Sequence, residues 1–250
     1  MLTLFRSSFI ILFLSVGLST TATAHSLQDS WHYEIAPYGW MSSLNGEVQV
    51  RNRAEKIHVP FSEILKQLDI AVQGHFEAGH GPWSLMVDPT YLKISDEHQL
   101  MTIGLNVITQ TVLIDAGVFY RFYAKEIAKD RQLSLELLGG GRHLSVRNTF
   151  EFLTIDNLSE RIHMNAPIIG ARLKTDLTPR AQLWLRGDAG GFDVDHIKQT
   201  WSACAGLSYA AKPTVDLGVA YRALKIDYSK GNSSMNVLMH GPELGISFHN

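Results

Sequence analysis

Cysteine is almost absent from this sequence, because the 250 residues contain only one, Cys204. A single cysteine cannot form an intrachain disulfide, so the chain is not a small scaffold held together by disulfides. An excess of charge of one sign is absent as well, since 22 basic residues stand against 24 acidic ones. This balance gives no reason to expect nucleic acid or an anionic surface as a partner.

Long apolar runs are also missing. The run at residues 9–18 is too short to span a bilayer as a helix, which takes about 20 apolar residues. It follows the cation Arg6 and precedes the small residues Ala22, Thr23 and Ala24, an order typical of a cleavable secretory signal. We expect residues 1–24 to be this signal and residues 25–250 to be one exported domain. Any membrane-embedded structure must then be a closed β-barrel, because lipid offers the backbone no hydrogen-bond partners.

Alternation of apolar and polar residues is the strongest pattern in the rest of the chain. In residues 180–192, Leu183 and Leu185 share one face with small residues, while Arg186 and Asp188 share the other. This period of two indicates strands with one apolar and one charged face. The same pattern recurs at residues 70–78, 83–94, 111–122, 133–138, 168–174, 201–210, 215–222 and 238–248, and less regularly at 31–40, 46–58 and 99–107.

These segments predict an all-β fold, an up-and-down antiparallel transmembrane β-barrel of about twelve strands, within a range of roughly 10 to 14. Residues 61–68 break the pattern, because Phe61, Ile64, Leu65 and Leu68 fall at helical spacing and Ser62 can cap a short helix. If the first strand rises from the periplasm, this helix follows the second strand and lies near the periplasmic mouth.

A soluble sandwich or a lipocalin-like barrel would also have one apolar and one polar face. The polar face here mixes Gly, Ala and Ser with isolated Arg, Asp and Glu, which favours a crowded lumen over a surface exposed to water. Register is also constrained, since turning one Arg into mid-bilayer costs about 2–4 kcal/mol. The aromatic residues that we expect to form girdles at the membrane interfaces are Trp31, Trp83, Tyr91, Tyr120, Trp201 and Tyr228.

Several segments together resemble a known group of proteins. The segments that carry the likeness are residues 31–40 (WHYEIAPYGW), 61–69 with 75–78, 83–92, 186–192 (RGDAGGF), 221–228 and 240–248. They resemble a widespread group of largely uncharacterised proteobacterial outer-membrane β-barrel proteins, and the likeness covers nearly the whole mature chain. The resemblance implies a barrel inserted in the cell outer membrane by the barrel-assembly machinery, and it implies no established activity.

Charged residues on the polar faces are the candidate functional set. They are Glu77, Asp88, Asp115, Arg121, Glu136, Arg142, Arg172, Arg186, Asp188, Asp216, Arg222 and Glu243. One interpretation is a paired network that fills the lumen, because buried charges require partners. The other is a narrow polar pathway for small solutes, since barrels of this size stand between filled eight-stranded barrels and open porins.

Two groups of residues have a spacing that metal ligands can have. His75, Glu77 and His80 form the first, but on a strand followed by a turn they do not share one face. Asp193, Asp195 and His196 form the second, between two predicted strands, where a weak cation site is the alternative to a solvated loop. We expect no metal site and no cofactor.

Nucleophile and phosphate-binding motifs are weak. Cys204 lies on a polar face and is expected to fill space rather than to react. The glycines at residues 139–141 lack the Lys and Ser/Thr of a phosphate-binding loop, and we expect them to permit a bend or close packing. A serine hydrolase needs no Gly-x-Ser-x-Gly motif on a barrel, so an outer-membrane lipid hydrolase stays an alternative.

The sequence thus predicts a structural or passive small-solute channel protein, not an enzyme, with no catalytic residues assigned. The alternatives are the membrane-embedded lipid hydrolase and a soluble periplasmic ligand-binding β-barrel. Outer-membrane lipids and, during biogenesis, the barrel-assembly machinery are the expected partners. We expect no nucleic acid, and a monomer.

Overall fold

Strand pairing organises the chain in a computed structural model that describes residues 30–50, 53–100, 103–152 and 158–250. The predicted signal, residues 1–24, lies outside the described residues. The strands are β1 (Trp31–Trp40), β2 (Ser43–Val50), β3 (Arg53–Val59), β4 (Leu68–His80), β5 (Trp83–Leu100), β6 (Ile103–Ala128), β7 (Arg131–Phe152), β8 (Leu158–Thr178), β9 (Ala181–Val194), β10 (Ile197–Lys212), β11 (Val215–Lys230) and β12 (Ser233–His249). The helix α1 (Phe61–Gln67) lies between β3 and β4.

Ten of the twelve strands form a closed ring. β1 pairs with β4 on one side and with β12 on the other, and the strands from β4 to β12 pair in chain order, all antiparallel. β2 and β3 stand outside the ring, because β2 pairs with the first half of β12 and β3 pairs with β2. The predicted all-β antiparallel barrel with about twelve strands and one short helix is confirmed.

One end of the barrel carries both ends of the described chain. Trp31 begins β1 at this end, and the two-residue turns after β4, β6, β8 and β10 also lie there. At the opposite end β7 and β8 stay paired as far as Phe150 and Leu158, well past the point where β9 begins to pair with β8, and outer-membrane barrels carry such extensions on the external side. We therefore call the end with these four short turns periplasmic and the opposite end external. β5 to β8 are the long strands of the ring, at 18 to 26 residues, and β6 and β7 reach 26 and 22.

The predicted position of the helix near the periplasmic mouth was wrong. α1 leads into β4 at Leu68, which pairs with Ile94 far along β5 from the periplasmic turn, so α1 lies toward the external end. The error has a physical cause: β1 and β2 both run along β12 and together make one crossing, with Met41 N–H donating to Pro242 O at 2.8 Å between them. Ser62 is not the cap, since Ser43 Oγ accepts the N–H of Phe61 at 3.1 Å. Within the part of the chain that the structure describes, no helix is long and apolar enough to cross a membrane.

The outer surface of the ring is apolar. Large exposed side chains such as Ile169, Leu137 and Val219 point outward, while their neighbours in sequence point into the lumen. A soluble barrel has the reverse arrangement, so the soluble alternative was wrong. Exposed aromatic residues at the periplasmic end include Trp31, Tyr33, Trp83, Tyr120, Phe122, Tyr123, Tyr209 and Phe248. The prediction that Tyr228 belongs to an aromatic girdle was wrong, because this residue is 9% exposed and packs inside the lumen.

The glycines of β7 offer a matched test of this packing. Gly140 faces inward opposite Gly117, and a methyl group on it would meet Ala116 O at 2.3 Å and Gly117 Cα at 2.7 Å. A methyl group on Gly139 would meet nothing within 4 Å. We expect Gly140→Ala to destabilise the barrel by about 1–3 kcal/mol, the usual cost of overpacking, and Gly139→Ala to leave stability unchanged.

The measurement is the temperature at which the fast-migrating folded form is lost in heat-modifiability gels. Equal melting of the two variants would contradict the close approach of β6 and β7 that the structure shows.

Candidate functional site

Nine of the twelve predicted charged residues meet in one network in the lumen. They are Glu77, Asp88, Asp115, Glu136, Arg142, Arg172, Arg186, Asp188 and Arg222. Eight are at most 6% exposed, and the side chain of Arg186 is 12% exposed. Alternation along each strand points these side chains into the lumen. Antiparallel pairing of the strands then places acidic side chains close to basic ones.

Arg142 is the centre of the first half of the network. Its guanidinium donates to both oxygens of Asp115 at 2.7 Å and to Asp188 at 2.9 Å. A further N–H donates to Thr200 Oγ1 at 2.9 Å, and Arg222 adds a contact of 3.3 Å to Asp115. Two-pronged arginine–carboxylate pairs are among the strongest polar contacts in proteins, so this half is held rigidly.

Arg172 is the centre of the second half. It donates to both oxygens of Glu77, at 2.5 and 2.9 Å, and to Glu136 at 2.5 Å. The guanidinium also lies over the ring of Phe119, with its carbon 3.7 Å from the ring centre. Cation–π contact of this kind strengthens where water is excluded. Each carboxylate of this half is therefore directly paired.

His75 joins the two halves. Its Nδ1 contacts Asp88, its Nε2 lies 3.5 Å from Glu77, and Asp88 in turn accepts a hydrogen bond from Arg186 at 2.5 Å. In the sequence His75 stood out only through a spacing that metal ligands can have, and its role in the network was not predicted. The sequence did contain an indication of it, because His75 and Glu77 share one strand face and Glu77 was predicted to face the lumen.

Three predicted residues lie outside this network. Arg121 donates to Gly81 O at 2.7 Å at the periplasmic rim, and Asp216 lies 3.3 Å from His249. Glu243 lines a cavity near the periplasmic end and forms none of the hydrogen bonds or ion pairs found among the described residues. Arg121 and Asp216 belong to the mouth of the barrel, whereas Glu243 is the cross-strand partner of Trp40.

An apolar layer fills the lumen on the external side of the network. On β6, β7 and β11 the residues that follow the network toward the outside are Leu113, Leu144 and Leu224. The buried members of the layer are Trp40, Leu113, Leu144, Met164, Ala166, Ile197, Leu224, Ile226, Tyr228 and Val237. Because seven of the ring strands contribute, the layer packs across the lumen rather than along one wall. The pattern of charged residues in the sequence did not indicate this apolar layer.

Two cavities lie on the periplasmic side of the network. One, of about 180 Å³, reaches Asp88, Arg186 and Arg222 from the mouth, and the other, of about 250 Å³, reaches Glu77 and Glu136. Lys174 and Gln182 line both cavities. The lumen therefore has a polar vestibule open toward the periplasm, a paired charge layer, and an apolar layer.

A serine, a histidine and an acid do come close in the vestibule. Ser84 Oγ lies 3.3 Å from His32 Nε2, and the same nitrogen lies 3.9 Å from Glu77. A catalytic triad needs the acid on the second ring nitrogen, and Glu77 is already held by Arg172. This cluster therefore lacks the geometry of a hydrolase relay.

The metal candidates do not assemble. His80 is exposed on the outer face, away from His75 and Glu77. Asp193 lies at the end of β9, and Asp195 and His196 form the external β9–β10 turn, where Asp195 accepts hydrogen bonds from Asn165. Across the described ranges, no three His, Cys, Asp or Glu side chains are arranged to hold a metal ion.

Solved structures share this architecture. The outer-membrane protease OmpT of Escherichia coli aligns with 91% of this chain and 99% of its own, at a TM-score of 0.51 and 10% identity. Ail of Yersinia pestis covers 89% of this chain and 100% of its own at a TM-score of 0.37 and 10% identity. Neisserial surface protein A covers 87% and 96% at 0.30 and 15% identity. No family model and no curated protein matches the sequence.

The fold is that of a bacterial outer-membrane β-barrel. The ring of ten antiparallel strands, the apolar exterior and the likeness to OmpT agree on this, and they are consistent with location in the cell outer membrane. The likeness to solved structures is evidence for the fold alone, because the sequence identities are 15% or lower. Since OmpT is a protease, the fold does not separate enzymes from other outer-membrane barrels.

The pairing of Arg142 gives a prediction for stability. Arg142→Met removes the main cation beside two buried carboxylates, Asp115 and Asp188, and breaking a buried pair in this way costs about 3–5 kcal/mol. Arg121→Met is the matched control, because it removes one hydrogen bond at the rim, worth about 1 kcal/mol. Urea denaturation in lipid vesicles, followed by tryptophan fluorescence, measures both. Equal midpoints for the two variants would contradict the network.

Proposed function

We propose that this protein is a closed, non-conducting barrel with a structural role in the outer membrane. The observation that carries the proposal is the pair of layers in series across the lumen, the charge network and the apolar layer. Either layer alone would hinder a solute. Together they leave the vestibule as the part of the lumen that water and small solutes enter.

The ion pairs of the charge layer hinder the passage of a solute through the lumen. Each carboxylate of the network is bound to an arginine or to His75, so a permeating ion would have to displace partners at 2.5 to 2.9 Å. The apolar layer adds a second obstacle, because its side chains offer a passing ion no replacement for its hydration shell. Passive transport of small ions is the less favoured role on this geometry.

Catalysis is not part of the proposed function. The lipid hydrolase alternative would need a nucleophile relay, and the described His32–Ser84 cluster uses one ring nitrogen for both contacts. Release of acyl chains from outer-membrane lipids by the purified barrel, lost in Ser84→Ala, would overturn this part of the proposal.

Planar-bilayer recording tests the closed lumen. We expect the purified, refolded protein to insert without channel openings under conditions in which a general porin at the same protein-to-lipid ratio conducts. Insertion is verified independently by protease protection of the barrel in vesicles. Reproducible unitary openings of the wild type would refute the proposal.

One variant separates the contributions of the two layers. Arg186→Ala removes a cation of the network beside Asp88 but leaves the apolar layer intact. We therefore expect this variant to melt at a lower temperature and still not to conduct. Conductance in Arg186→Ala would show that the charge network alone closes the lumen.

A further inference from the structure

A row of five inward residues crosses the wall of the 180 Å³ cavity in the vestibule. Cross-strand pairing joins them from β8 to β12 in the order Lys174, Trp184, Gly206, Ala220 and Glu243. Because directly opposed residues of antiparallel strands point to the same face, the five side chains form one layer of the cavity. This layer has a charged residue at each end and an indole beside two small residues between them.

Trp184 gives the layer an aromatic face. A methyl group on Gly206 would lie 2.5 Å from Cε2 and 2.8 Å from Nε1 of Trp184, so the indole lies across this glycine. One face of the ring therefore covers the strand, and the other faces the cavity that Trp184 lines. The face of an indole attracts a cation more strongly than that of any other side chain.

Glu243 has no cation in direct contact. Its cross-strand neighbours are Trp40 and Ala220, and neither carries a charge. The cation that acts on it most strongly is Arg222, but this guanidinium contacts Asp115 at 3.3 Å and Tyr38 at 3.2 Å instead. Glu243 is half-buried and lines the cavity, so its charge is partly removed from water without an ion pair among the described residues.

The surrounding charges balance without Glu243. In the network, five carboxylates are matched by four arginines and His75. The other charged residues near the cavity form opposite pairs, Glu34 with Lys174 and Asp216 with His249. Even with both histidines protonated, Glu243 is left over among the described residues. The cavity therefore favours a ligand that carries a positive charge.

The size of the cavity limits the ligand. A volume of 180 Å³ corresponds to the space of roughly six water molecules at about 30 Å³ each. The indole covers Gly206, which leaves the wall at Ala220 open between the aromatic face and the carboxylate. A compact molecule fits this space, whereas a lipid or a peptide does not.

We propose that the vestibule binds a small organic cation, an alkylammonium or quaternary ammonium compound, between the indole of Trp184 and the carboxylate of Glu243. The apolar groups of the ligand lie over Ala220, and its charge takes the place of the cation that Glu243 lacks. The ligand enters from the periplasmic mouth. The site goes beyond the structural role proposed above and does not depend on whether the lumen conducts.

Calorimetric titration of the full-length mature barrel tests the site. The detergent is dodecyl maltoside, because a detergent with an amine or choline headgroup would compete. The probes are choline and n-butylammonium, each compared with a neutral molecule of similar shape, dimethylbutanol for choline and n-butanol for n-butylammonium. We expect both cations to bind at least about tenfold more tightly than their neutral counterparts, because only a charge gains from the carboxylate and the indole face.

Three variants locate the binding. Glu243→Gln and Trp184→Leu should each weaken choline binding about tenfold, since each removes one of the two contacts to the cation. Gly206→Ala should weaken it as well, because the added methyl group displaces the indole into the cavity. The matched control is Glu126→Gln, which removes an exposed carboxylate near the end of β6, outside the cavity, and should bind choline as the wild type does.

Melting of the folded form separates binding from stability. Without ligand, Glu243→Gln should melt at the temperature of the wild type or above it, because no protein cation loses a direct partner. The proposal is overturned if neither cation binds, if the neutral molecules bind equally well, or if Glu243→Gln binds choline as the wild type does. An equal loss in Glu126→Gln, or displacement of choline by an equal concentration of sodium, also overturns it. None of these results bears on channel recording, so the closed lumen is tested separately.

Discussion

The pairing of Arg142 with Asp115 is the contact on which much of this barrel depends. Both side chains are almost completely buried, with 3% and 0% exposure, so neither charge can be left alone without a large desolvation penalty. Because the two residues lie on adjacent strands in one register, their pairing and the backbone ladder of β6 and β7 require the same alignment. Asp188 and Arg222 then join from β9 and β11, so the pairing extends across the lumen to strands that are not neighbours.

This requirement also explains the order of layers along the lumen. Charges collect at mid-height, where each carboxylate can reach an arginine from another strand. Apolar residues from seven of the ring strands fill the lumen on the external side of these charges. The vestibule on the periplasmic side keeps polar residues such as Lys174 and Gln182, which water can reach. Because side chains alternate along each strand, the strands that point charges into the lumen also point apolar side chains to the outer surface.

Local alternation in the sequence by itself determined the strands, their two faces, the barrel class and the identity of the inward charges, because a period of two depends only on neighbours in the chain. Only the tertiary structure decided that ten strands close the ring, since β1 and β2 share the partner β12. It also placed α1 at the external end, joined the charges through His75 and packed Trp40 with Leu224 into the apolar layer. These features depend on contacts between residues far apart in sequence, up to the pairing of β1 with β12 that closes the ring, and a local pattern contains no information about such distances.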